Sequence, residues 1–253
     1  MKTTSKRRPG AFTMIELIVV VVVLAVLYAM LFPNLFRRPR ALNTRLPCMI
    51  NLKEIGTAYR LWAADHGDLV PAQQSVTNGG WRELLSNANQ GPICWTNYAI
   101  MQNEMGLSPR LVICPADERK PAVYFTNEFA NTNVSYFVGV SANDVYPQSI
   151  AGGDRNLGDG SGPNADYGYS PQNGSGNDVA IPMTLRHDAV SWSAKMHSAN
   201  GKDDQGDILL GDGSAQQASS VSLRANWLGY ANPTTNWPAG HAPPVPSIRL
   251  VFP

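Results

Sequence analysis

A chain of 253 residues with 43% hydrophobic residues is long enough for one membrane helix and one further domain of ordinary size. Its net charge of +1 is unevenly spread: residues 1–45 hold eight Lys/Arg against Glu16, a local +7, leaving −6 for the remainder. A mildly acidic remainder argues against nucleic-acid binding through a broad basic face. The lack of G-x-S-x-G, H-E-x-x-H and P-loop signatures argues against the common catalytic classes, so no enzyme activity is expected.

The chain opens on a basic segment, residues 1–11, with Lys2, Lys6, Arg7 and Arg8, followed by Phe12-Thr13-Met14-Ile15-Glu16. From Leu17 to Phe32 every residue is apolar or aromatic. Such a run of about 20 residues matches a bilayer core of roughly 30 Å, which predicts a transmembrane helix over 12–36. The apolar run is too long for a secretory signal peptide, is preceded by a carboxylate, and has no A-x-A-like cleavage site after it. Glu16 is the one ionisable residue of the segment, and a charge within a membrane span is a functional candidate with a partner to be found.

The basic leader, the small residues Gly10 and Ala11, and Phe12-Thr13-Met14-Ile15-Glu16-Leu17 together resemble the processing site of type IV prepilins and type II secretion pseudopilins. With Phe12 as first mature residue, Glu16 is fifth and Pro33 twenty-second, matching that family's glutamate and helix-kinking proline. The resemblance implies cutting at Gly10/Ala11 or Ala11/Phe12 by a prepilin peptidase and methylation of the new N-terminus. It also implies an assembly role for Glu16 and a kink at Pro33. Helices in hydrocarbon gain no hydrophobic free energy by associating, so packing and polar contacts decide their pairing. A new α-amino group and the Glu16 carboxylate are opposite charges that each need a partner away from water.

Arg37, Arg38, Arg40 and Arg45 crowd the far flank of the run, so the positive-inside rule does not orient it. The resemblance implies a cytoplasmic N-terminus, an inner-membrane single pass, and a periplasmic or filament-borne head. Residues 37–66 read as a helical continuation, kinked or broken at Pro39 or Pro47. Within it Leu52, Ile55, Tyr59 and Trp62 recur at spacings of 3, 4 and 3, one helix face, and Gly67 follows as a C-terminal cap.

Residues 67–253 read as the head, with short apolar runs between turn residues. Arg110–Cys114 is one such run, stopped by Pro115; Val134–Val140 is a buried strand; Asp207–Gln217 is a hairpin turning at Asp212-Gly213; Ile248–Phe252 is a last edge strand. A Gly/Asn/Asp/Ser-rich insert covers about 151–178, and Asn232–Pro246 is proline-rich. The expected fold is α+β: a long hydrophobic N-terminal helix packed on a C-terminal head with an antiparallel sheet. Ile113–Asp117, Val134–Gly139, Gly153–Asn156 and His197 to Ser214 also resemble segments of a group of bacterial prepilin-like proteins.

Cys48, Cys94 and Cys114 allow three single disulfides, each leaving one thiol, and the missing C-x-x-C pair argues against a zinc site. His187, Asp188 and His197 lie near Asp203, Asp204, Asp207 and Asp212, residues that could form a carboxylate-rich site. Aspartates beside glycine are also turn formers. If a metal binds, oxygen ligands favour Ca²⁺, with Asp203, Asp204, Asp207 and Asp212 as candidates; the resemblance points the same way, since some pseudopilins bind calcium near the C-terminus. No other cofactor is expected. The reading is a non-enzymatic pilin-like or pseudopilin subunit, with prepilin peptidase, the inner membrane and other pilin-like subunits as partners. The alternative is a membrane-tethered binding or hydrolytic domain that uses the segment only as an anchor.

Overall fold

A computed structural model describes residues 13–35, 45–86, 94–158, 160, 178–182, 190–198, 204–228 and 247–253. The chain divides into two compact units, Met1–Asn43 and Thr44–Pro253. The first contains α1 (Met14–Leu35), which runs through Pro33 and ends two residues later. Its described side chains, Thr13 to Tyr28, are all exposed. Among the described residues no helix is long and apolar enough to cross a membrane.

The second unit is built on α2 (Arg45–Asp65). Pro47 does not break it. The proline sits in the first turn, where backbone N–H groups have no intrahelical acceptor, so its missing donor costs nothing there. The expected break at Pro39 lies outside the described residues. The stripe Leu52, Ile55, Tyr59 and Trp62 is buried as its spacing predicts. Beyond Asp65 the helix is closed by Gly67 in the left-handed region, φ 71°.

α2 lies on a six-stranded antiparallel sheet ordered β4-β8-β1-β2-β6-β7. The strands are β1 (Tyr136–Gly139), β2 (Ile150–Asp154), β4 (Asp178–Pro182), β6 (Gln205–Leu210), β7 (Ala215–Ser219) and β8 (Ser247–Val251). A two-stranded ribbon pairs β3 (Leu157–Gly158) with β5 (Ser191–Trp192). Alternation along the strands divides the core in two. Tyr136, Val138, Leu209 and Val251 join α2 in one cluster, whereas Phe137, Ile208, Leu210, Leu250 and Phe252 belong to another with Trp192 and Trp227. The expected hairpin is β6–β7, with Gly213 at φ 76° in its turn.

Two local expectations change, and the apolar run Arg110–Cys114 falls at a 3-10 turn, Pro109–Val112, packed against α2. The last strand is not an edge: β8 pairs with β4 on one side and β1 on the other. The Gly-rich stretch expected as an insert from residue 151 starts as strand β2, and residues 161–177 lie outside the described residues. A Cβ on Gly153 would lie 2.8 Å from Asp207 O and 2.9 Å from Phe137 Cζ. Glycine is therefore demanded by close packing between β1 and β6 rather than by a turn. The proline-rich stretch to Pro246 is likewise outside the described residues.

Candidate functional site

The processing positions Gly10, Ala11 and Phe12 lie outside the described residues; the structure begins at Thr13. There the Thr13 backbone N–H and hydroxyl both donate to Glu16 Oε2 at 2.8 Å, and the Glu16 N–H approaches Thr13 Oγ1 at 3.4 Å. This is a capping box, T-x-x-E, with Thr13 as the cap and Glu16 three residues on. The pattern is legible in the sequence, but the expectation of a distant partner for Glu16 hid it. Within one chain Glu16 is satisfied by the start of its own helix.

A second polar centre lies inside the head, on the sheet face covered by α2. β2 and β6 pair Gly152 with Leu209 and Gly153 with Ile208. One step further the register sets Asp154 opposite Asp207, and the Asp207 N–H donates to Asp154 Oδ2 at 2.8 Å. Both residues are fully buried. His197 joins them from a 3-10 turn, Met196–Ser198. That turn is clamped to β6 by Ser198 Oγ, which donates to Gln205 O at 2.8 Å and accepts from Gln205 N at 3.0 Å. His197 Nε2 lies 3.7 Å from Asp154 Oδ2 and 3.6 Å from Asp207 Oδ2, beyond hydrogen-bonding distance of both.

Arg45, at the start of α2, donates to His197 O and to Gln205 Oε1, both at 2.9 Å. Burial and this neighbouring guanidinium hold His197 neutral, with its pKa brought down to about 4. Burial raises the Asp207 carboxyl to about 7, against the opposing pull of Arg45. Burial, then Asp207 itself, pushes Asp154 well above the usual carboxylate range.

The same histidine touches the covalent centre of the head. Cys48 on α2 is disulfide-bonded to Cys114, just after the 3-10 turn, and Cys94 is a buried free thiol. Cys114 Sγ lies 3.2 Å from His197 Nε2.

The four aspartates expected to hold calcium do not act as one group. Asp204 accepts from the Ser220 hydroxyl, and Asp212 accepts from the Ser214 N–H at 2.8 Å within the β6–β7 turn. Of the three that lie among the described residues, Asp207 on β6 is the one at the buried centre. Asp203, His187 and Asp188 lie outside the described residues. Asp154 falls in the Gly153–Asn156 segment, 53 residues from Asp207, and that separation carries no spacing signal that would pair the two.

No curated protein and no solved structure matches the chain. Residues 6–32 match the family model described as the prokaryotic N-terminal methylation motif. That interval takes in the basic residues Lys6, Arg7 and Arg8, the processing positions, Glu16 and the apolar run to Phe32. The chain therefore carries the prepilin motif of type IV pilins and pseudopilins at its N-terminus.

Proposed function

We propose that this protein is a non-enzymatic pilin-like subunit. It is trimmed by a prepilin peptidase, methylated at its new N-terminus, held in the inner membrane, and assembled through its N-terminal helix. The observation that carries this reading is the methylation motif over residues 6–32, with Glu16 fifth from Phe12. Two features support it. The apolar side chains from Met14 to Tyr28 leave α1 with nothing but apolar surface around most of its girth, suited to lipid or to neighbouring copies of itself. The Cys48–Cys114 disulfide fits a head outside the cytoplasm.

The test is N-terminal mass analysis of the protein from its native membrane. A chain starting at Phe12 or Ala11 and heavier by one methyl group is expected. An intact Met1 start overturns the reading.

The Thr13–Glu16 capping box favours the second reading, a tethered domain, because it gives Glu16 a local task with no partner chain. Glu16→Gln separates the two. Glutamine also serves at the third position of a capping box, so the helix start survives while the charge is lost. A subunit that assembles through this charge loses its filament; a tethered domain is unchanged.

A further inference from the structure

We propose that Asp154, His197 and Asp207 hold a divalent cation of the zinc class as a buried structural site in the head. The argument rests on geometry and on unmet bonding capacity. Asp207 is fully buried, and neither carboxylate oxygen has a hydrogen-bond partner among the described residues. Asp154 Oδ1 is buried without one as well. Asp207 Oδ2, buried and unpartnered, thus faces His197 Nε2 at 3.6 Å, with Asp154 Oδ2, which accepts from the Asp207 N–H, 3.7 Å from the same nitrogen. Leaving a buried acceptor unmet costs about 1–3 kcal/mol each, and more when it is charged.

The spacing suits a bridging ion rather than direct bonding. Donor atoms of His197, Asp154 and Asp207 all lie within 4.8 Å of one another. Two ligands bound tetrahedrally at about 2.0–2.2 Å stand roughly 3.3–3.6 Å apart. The 3.6 and 3.7 Å separations of Nε2 from the two Oδ2 atoms are close to such an edge and too long for hydrogen bonds.

Charge points the same way. Like charges directly opposite each other on paired strands repel, and here the pair is also buried. The neighbouring Arg155 cannot relieve it, because its guanidinium is bonded to Asp117. Arg45 lies close enough to act on all three residues but supplies one positive charge against two carboxylates. With both carboxylates ionised one negative charge is left, which a divalent cation more than neutralises.

The donor set selects the ion. Calcium takes six to eight oxygen ligands, and this centre offers too few, with an imidazole among them. One imidazole nitrogen with two carboxylates, Asp207 having both oxygens free to bind, gives the four donors of a closed zinc site. With the carboxylates fully buried the ion is structural rather than catalytic, and it enters as the head folds.

The experiment uses the untagged full chain in detergent, expressed with added zinc or with a metal chelator in the medium. Elemental mass spectrometry is expected to find about one zinc per chain in the first preparation, with a thermal midpoint several degrees above the second. Asp207→Asn and His197→Gln are expected to lower the zinc content roughly tenfold or more. Should those variants fail to fold, wild-type protein grown with cobalt is read instead. Visible d–d absorption of tetrahedral intensity, without thiolate charge-transfer bands, supports the site. Absence of zinc from the wild type with equal midpoints in both preparations overturns the proposal. So does zinc retained in full by Asp207→Asn, or a colourless cobalt preparation.

Discussion

The guanidinium of Arg155 grips the carboxylate of Asp117 with two bonds of 2.7 Å, Nε to Oδ2 and Nη2 to Oδ1, both side chains fully buried. Burial alone would raise the Asp117 pKa, but the hydrogen bonds and charge of Arg155, with the Ser135 hydroxyl and the Arg119 charge, outweigh it and hold the carboxyl below its ordinary value. The stabilisation this pair contributes is complete above an unfolded pKa of about 3.9 and is lost as pH falls through the lower folded value. Arg155→Ala strips the buried carboxylate of its bidentate partner and should destabilise the head by about 3–5 kcal/mol. Chemical denaturation at neutral pH measures the loss. The gap between variant and wild type should narrow in acid below the folded pKa.

The disulfide makes a separate prediction. Cys48 and Cys114 are 66 residues apart in sequence. Closing a loop of that order stabilises a fold by about 2–4 kcal/mol, chiefly by restricting the unfolded chain. Cys48→Ala should lower the unfolding free energy by that amount, and a reductant should then have no further effect. In the wild type, burial pushes the Cys94 thiol up, so native protein should resist alkylation at mildly alkaline pH. One modifiable thiol per chain should emerge only on unfolding. Mass spectrometry before and after denaturant checks both statements.

Gly56 shows where packing overrides helix propensity. In an exposed helix, Gly→Ala gains about 1 kcal/mol. Here a Cβ would sit 2.7 Å from Gly213 O in the β6–β7 turn and 2.7 Å from Leu209 Cδ1. Gly56→Ala should therefore destabilise the head by roughly 1–3 kcal/mol. An unchanged or higher thermal midpoint would show that α2 can lift from the turn without cost.

At the other end of the chain, Thr13→Ala removes the cap hydroxyl and should cost about 1 kcal/mol at the helix start. Circular dichroism of the detergent-solubilised protein should show a small helical loss. Glu16→Gln should keep that helix content while changing filament yield, which separates the capping task from the assembly task.

Much of the architecture is legible in composition and period. The 3, 4, 3 spacing of Leu52, Ile55, Tyr59 and Trp62 marked the buried face of α2, and β-branched and aromatic residues marked β1. Asp212-Gly213 marked the hairpin turn. The failures have physical causes. Pro47 was weighed as a helix breaker, although a first-turn proline forfeits no hydrogen bond. Ala151–Asp154 read as loop because glycines needed for close strand packing are the same residues that form turns.

Taken alone, the sequence determined what depends on near neighbours: the methylation motif, the amphipathic stripe of α2 and the β6–β7 turn. Each is a pattern within a few residues, where backbone geometry and side-chain reach suffice. The tertiary structure alone decided the pairing of Cys48 with Cys114, the grip of Arg155 on Asp117, and the meeting of Asp154, His197 and Asp207. Those residues are brought together by strand register and by the seating of α2 on the sheet, and no local spacing encodes a contact that a register sets.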